Sequence, residues 1–312
     1  MSNIAPATIA LENTGDALHR SLVAQFSLVD LMPIHSGISK EHLLVVLKSY
    51  FDGANQADSS LYDVLSLASI SGTPSQWRAF EREWKATLKT HNAPWLHTTD
   101  ALTMNDPYTT ENGWDAHKVQ AFLSGCIGTI ENHLVVPNIE DRTKEGKYGL
   151  VPHVVSIVLK DFIRARDANA DMPRAVEELC VTQSVATVFA RGDALGADFY
   201  YLTFDQNEPF MGHVLDRQRN RKARNHLKPI TGRIMHTGES DMRDVPALQV
   251  ADIFAWSYSH KRTVPLYPWQ STLLTHYKWV DEWFEYDDLL KLIPGVTDLV
   301  KSWNLPPRKP TR

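Results

Sequence analysis

Two kinds of apolar pattern run along this chain, and the switches between them mark its elements. Leu43 to Leu47 is an unbroken apolar run that carries on through Tyr50 and Phe51 and ends at Asp52-Gly53. Such a run bounded by glycine reads as a buried strand. Asp52 then sits at the rim of the core, and Gly53 lets the chain turn away or a ligand approach the backbone. Tyr62 to Ser71 is apolar and small, ends at Gly72, and reads as a second strand. The two are expected to pair as an antiparallel hairpin across the polar loop Gln56 to Ser60. Thr73-Pro74 opens a helix in which Trp77, Phe80, Trp84 and Leu88 recur at three- and four-residue spacing, forming one buried face.

The alternation continues downstream. Trp95 to Asp100 reads as a short strand and turn, from which His97 and Asp100 could reach an active-site edge or simply cap the next helix. Trp114 to Ile130 is amphipathic through Val119, Phe122, Leu123, Cys126, Ile127 and Ile130. His133 to Val136 and Val151 to Leu159 read as strands around the charged loop Glu140 to Lys147. A helix from Pro173 to Arg191 is expected to stop at Gly192. Ala197 to Phe204 is an apolar strand finishing at Asp205, the same design as the strand ending at Asp52. Pro209 to His226 reads as helix, Ile230 to Met235 as strand, 236–246 as polar loop, and Pro246 to His260 as a strongly apolar helix.

At the ends, Asn13 to Leu31 reads as a helix stopped by Pro33, and Trp279, Trp283, Phe284, Leu289 and Leu290 suggest a last one. The expected architecture is α/β, a mixed sheet flanked by helices. An N-terminal extension spans 1–42, the main domain 43–262, and a C-terminal helical extension and tail 263–312.

Composition narrows the class. The chain has 312 residues, 43% hydrophobic and 22% charged, enough for a proper core. Its net charge of −5 gives no global attraction to nucleic acid, so any such binding must use a local patch. Cys126 and Cys180 both fall in apolar helical stretches without zinc spacing, which suits a reducing compartment. The first basic side chain other than histidine is Arg20, and no apolar run approaches the ~20 residues of a membrane span. The expectation is a cytoplasmic protein with no membrane partner. No phosphate-binding glycine loop, dinucleotide fingerprint or nucleophile elbow is present.

The candidate chemistry lies in carboxylates. Asp52 and Asp205 end apolar strands, Glu208 follows three residues after Asp205, and Asp252 sits on the apolar helix with Gln249 as its i−3 neighbour. Taken singly, Asp52-Gly53 is an ordinary turn. If the two strands are neighbours, their tips lie roughly 5 Å apart at one edge, and a helix packed there adds the third carboxylate. Such an oxygen set suits Mg²⁺ or Mn²⁺ rather than zinc, and a pair of such ions serves phosphodiester cleavage. Asp52, Asp205 and Asp252 would be the ligands, with Glu208 a fourth ligand or the residue that orients water. Arg217, Arg219, Arg221, Lys222, Arg224 and Lys228 lie within twelve residues without an acid between them. They form either a solvated helix face or one that contacts phosphates.

The order of pieces resembles the ribonuclease H-like fold, in which a first strand carries an Asp, a hairpin and helix follow, and a final helix returns an acid. Three motifs are similar more closely to the large family called domain of unknown function 3800. They are Tyr50-Phe51-Asp52-Gly53, Phe204-Asp205-Gln206-Asn207-Glu208-Pro209-Phe210 and Leu248-Gln249-Val250-Ala251-Asp252. The resemblance covers about residues 43 to 262. Many members carry Glu-Ser after the first Asp, where this chain has Gly53-Ala54, one carboxylate fewer. The resemblance implies a nuclease-like metal site, and the missing acid leaves a second alternative: a degenerate site that binds nucleic acid or a protein without cutting.

Overall fold

The computed structural model describes residues 45–54, 63–134, 149–169, 172–194, 196–206, 208–219, 232–262 and 265–292. Its centre is a strand buried along its whole length, β2 (Val64–Gly72), which explains the unbroken run of apolar and small residues there. β2 pairs antiparallel with β1 (Val46–Ala54), Asp52 lying opposite Ala68. On its other side it pairs antiparallel with β3 (Val151–Val158). β4 (Phe199–Asp205) lies parallel to β1, and β5 (Ile234–Ser240) parallel to β4. β6 (Asp281–Phe284) runs parallel to β3, which completes a mixed six-stranded sheet in the order β5-β4-β1-β2-β3-β6. Two pairs of buried hydroxyls meet across its strands, Ser49 with Ser71 at 2.7 Å and Ser66 with Ser156 at 2.9 Å.

Helices cover both faces. On one lie α1 (Pro74–His91), α3 (Ala116–His133), α7 (Pro246–Ser259) and α8 (Pro268–His276), packed around Ala68, Ile70, Trp77, Phe80, Trp84, Phe122 and Phe254. The other face holds α4 (Leu159–Ala168), α5 (Val176–Ala194) and α6 (Pro209–Arg219) over Phe51, Leu65, Leu67, Leu179, Val188 and Phe204. The start of α1 follows from its sequence. The Thr73 hydroxyl accepts from the Gln76 amide, the Gln76 side-chain oxygen accepts from the Thr73 amide, and Pro74 occupies the first turn. α7 rests on β1 and β2, which sets its Asp252 above the strand that carries Asp52.

Several expectations need correction. Residues from Thr98 onward are not strand but a short helix, α2 (Thr98–Thr103), ended by Met104 in the left-handed region (φ 56). β5 continues through Ser240, where a polar loop was expected. As an edge strand it is only half-buried, so its side chains carry no apolar run to read. The segment with Trp283 and Phe284 forms strand β6, and helix begins only after it, over 286–292 within the described residues. The helix begun near Pro173 does not stop at Gly192 but runs to Ala194. That glycine serves packing: a Cβ there would fall 2.3 Å from the Tyr200 hydroxyl. Helix α4 had no counterpart in the sequence reading. Of the proposed strand at His133 to Val136, Leu134 makes one bridge to Leu150. His133 is not strand but the last residue of α3, and residues 135–136 and the N-terminal helix lie outside the described residues.

Candidate functional site

The parallel pairing of β1 with β4 is what builds the site. Phe51 stands opposite Phe204 in register, so the residues that follow, Asp52 and Asp205, are neighbours at the same edge of the sheet. The two phenyl rings stack at 4.5 Å on the opposite face and fix that register. α7 brings Asp252 over this edge, and the turn after β4 brings Glu208. Together with Gly53, Ala54, His97, Thr99, Met242 and Trp256 these residues line a cleft of about 280 Å³. All four predicted carboxylates therefore meet in one place, at exposures of only 2% for Asp52 and 6% for Asp252.

Each carboxylate is held differently. Asp52 Oδ1 accepts from the Gly53 amide at 3.0 Å, while its Oδ2 is buried without a hydrogen-bond partner among the described residues. Asp205 Oδ1 accepts from the Met242 amide at 3.0 Å. Asp252 Oδ2 accepts from both the amide and the hydroxyl of Thr98, each at 2.6 Å. His97 Nε2 lies 4.0 Å from Asp252 Oδ1, and its Nδ1 is 2.6 Å from Asp100 Oδ2. Gln249 is a brace. It accepts from Trp84 Nε1 (2.8 Å) and the Leu96 amide (3.0 Å) and donates to the Met242 carbonyl (2.8 Å). It thus ties the two loops that bear on Asp252 and Asp205 to α7.

Gly53 is required where it stands. A Cβ on it would lie 2.4 Å from Phe210 Cε2 and 2.9 Å from Glu208 Oε2. The space for a side chain at this position is already taken by the turn that delivers Glu208.

The electrostatics follow from burial and crowding. Asp52 is raised well above the usual carboxylate range, first by burial, then by the charges of Asp252, Glu208 and Asp205, against the Gly53 amide. Asp252 is raised by burial, opposed by His97 and the two Thr98 hydrogen bonds. Asp205 is pushed up to about 6, by burial and by Asp241 and Asp252, against the amides of Gln206 and Met242. Burial disfavours the His97 imidazolium, but Asp252, Asp100 and Asp205 outweigh it and the ring is easier to protonate than usual. Neither lysine nor arginine is among the described residues lining the cleft.

Such a site takes up protons or a cation, because buried like charges cannot all be ionised cheaply. The donor set is oxygen-rich, as a hard divalent cation requires. Asp52 Oδ2 is a buried acceptor that no described residue satisfies. The arrangement is not a closed ligand cage: among the described residues no three His, Cys, Asp or Glu side chains form a ready metal group. Asp252 is turned toward Thr98 and Asp205 toward the Met242 amide, so an ion must draw these side chains inward from their present partners.

The sequence reading placed His97 at the edge of a possible site, and it lines the cleft. It missed Thr98, whose hold on Asp252 spans 154 residues of chain and leaves no local signal, and it missed Met242 and Trp256. Arg219, the member of the basic stretch whose side chain is described, is not among the residues lining the cleft. α6 starts beside Glu208 and reaches Arg219, exposed about 15 Å of helix further on. The side chain of Arg217 and all of Arg221, Lys222 and Arg224 lie outside the described residues.

No protein-family model matches the chain, and no curated protein matches it. No described helix is long and apolar enough to cross a membrane.

Proposed function

We propose that this protein is a Mg²⁺- or Mn²⁺-dependent phosphodiesterase acting on nucleic acid, with a ribonuclease H-like arrangement of the kind found in the domain of unknown function 3800 family. The observation that carries the reading is the meeting of Asp52, Asp205, Glu208 and Asp252 in one cleft where, among the described residues, no lysine or arginine joins the lining and one buried Asp52 oxygen is unpartnered. A first strand bearing an Asp in an antiparallel hairpin, a later parallel strand beside it bearing a second, and a late helix bearing a third support the fold resemblance.

Asp52, Asp205 and Asp252 would hold the cation, with Glu208 beside them to ligate or to orient water. Bound there, a divalent ion supplies charge neutralisation for a phosphodiester oxygen and acidifies water. The chain's own residues do the rest. The sheet fixes Asp52 and Asp205, and Gln249 and Thr98 set the position of α7 against the adjoining loops. His97, steadied by Asp100, stands beside Asp252 where it can hold a proton at Nε2.

A second reading is favoured by Gly53 and by the open state of the ligand set: the cleft binds nucleic acid or a protein partner without cutting it. Incubating wild type and Asp52→Asn with single- and double-stranded RNA and DNA, in Mg²⁺, Mn²⁺ or EDTA, separates the readings. Cation-dependent cleavage that Asp52→Asn abolishes supports the enzyme. Cation-dependent binding without cleavage supports the second reading, and neither cleavage nor binding refutes the enzyme and leaves only a protein partner for the cleft.

A further inference from the structure

Along α7 the residues 252, 256 and 260 recur at four-residue spacing, so that a carboxylate, an indole and an imidazole follow one another on one side of the helix. Each step along it is about 6 Å. Trp256 is therefore one turn beyond Asp252, and like Asp252 it lines the cleft. Its ring stacks on His260 at 4.3 Å with the planes 14° apart. Behind it stand Trp269, 5.8 Å away, and Tyr267, itself stacked on Trp269 at 5.8 Å and 9°. The half-buried indole of Trp256 thus packs against the core and lines the cleft, one of its faces covered by His260.

We propose that Trp256 is a stacking platform for an unpaired nucleobase, and that the cleft takes single-stranded nucleic acid, RNA or DNA. This rests on the phosphodiester reading of the carboxylates. A base and its own phosphate are separated by a sugar, a span similar to one helical turn along α7, so a phosphate at Asp252 sets the neighbouring base against Trp256. Asp52 and Asp252 are recessed in a cleft of about 280 Å³, a small space that favours a single unpaired unit over a base-paired segment. Ring stacking accepts any base, because every base has a π-face, which gives strand selection without sequence selection. The parallel stack of Trp256 on His260 holds the indole in one orientation, so little side-chain entropy is lost when a base lands on it. The negative net charge is consistent with binding that relies on stacking and a cation rather than on a broad basic surface.

The test uses the full chain, with Ca²⁺ as the cation and gel checks that the probes stay intact. Short fluorescein-labelled RNA and DNA strands, the matching duplexes, and the same strands with abasic linkers are titrated by anisotropy. The proteins are wild type, Trp256→Phe, Trp256→Leu and Asp52→Asn. Wild type and Trp256→Phe should bind a single strand more tightly than the duplex. Trp256→Leu, which keeps apolar volume but not the ring, should lose on the order of 5- to 150-fold for the intact strand, the span of base–aromatic stacking. It should lose nothing for the abasic strand. The abasic strand should bind wild type more weakly by a similar factor, a comparison that does not depend on how the variants fold. Equal binding of intact and abasic strands, or tighter binding of duplex, overturns the stacking platform. The phosphodiester reading survives that result if binding still needs the cation and Asp52. Failure of wild type to bind any of these probes overturns both.

Discussion

Asp205→Asn puts a number on the charge strain in the cleft. The Asp205 carboxyl is pushed from its ordinary 3.8 to about 6, chiefly by burial. A rise of about two units corresponds to roughly 3 kcal/mol. Asp205 is only partly buried, and screening by water reduces the effective figure to roughly 1–2 kcal/mol. The sign follows from proton binding. An acid whose pKa is higher in the folded state binds more protons folded than unfolded between the two values, so stability falls as pH rises from about 4 to about 6. Above that window the folded protein carries the whole strain.

Asn removes the charge and keeps a carbonyl oxygen to accept from the Met242 amide. At pH 7.5 the variant should be roughly 1–2 kcal/mol more stable than wild type, a gain in Tm of about 2–8 °C, and the gain should vanish toward pH 4. Urea unfolding across this pH range, with melting curves in parallel, measures it. Mn²⁺ should raise the Tm of wild type, since a ligand of the native state stabilises it by mass action, and should leave Asp205→Asn nearly unmoved. A variant less stable than wild type at pH 7.5, or a difference independent of pH, refutes the account of a strained carboxylate cluster.

Three further substitutions test how the cleft is held together. Gln249→Leu strands the Trp84 indole N–H, the Leu96 amide and the Met242 carbonyl, and should cost about 3 kcal/mol or more by urea denaturation. Gly53→Ala drives a methyl against Phe210 and Glu208 and should cost about 1–3 kcal/mol, with a shift of the Phe210 ring visible by NMR. Thr98→Val leaves Asp252 the amide but not the hydroxyl. It should destabilise by about 1–3 kcal/mol, more at pH 8 than at pH 5, because the lost hydrogen bond lets the Asp252 carboxyl rise further; a pH-independent loss would contradict this.

The parts of the fold that could be read from sequence are those where one local pattern meets one structural demand. The apolar runs ending at Asp52 and Asp205 became adjacent parallel strands inside the sheet, their apolar residues filling its core. Thr73-Pro74 with Gln76 starts a helix whatever surrounds it. Legibility fails where context decides. Asp281–Phe284 forms a strand only because the exposed side of β3 offers a partner, and the spacing of Trp279 and Trp283 mimics a helical face. β5 lies at the sheet edge, and its half-exposed residues leave no alternation to follow. Thr98 and Met242 reach the carboxylates across 154 and 37 residues, contacts that only the folded topology creates. Trp256 looks like one more core residue of an apolar helix until the cleft beside it is seen.

The central claim, that the carboxylate cleft is a divalent-cation site, is tested most directly by titrating Mn²⁺ into wild type and Asp52→Asn by calorimetry near pH 6, in buffers of different ionisation enthalpy. Asp52, Asp205 and Asp252 all hold their protons more tightly than ordinary carboxylates, and a cation must displace those protons to bind. Wild type should give a saturable heat that varies with the buffer, reporting proton release, and Asp52→Asn should give none. A wild-type titration without saturable heat, or one that Asp52→Asn reproduces, contradicts the claim.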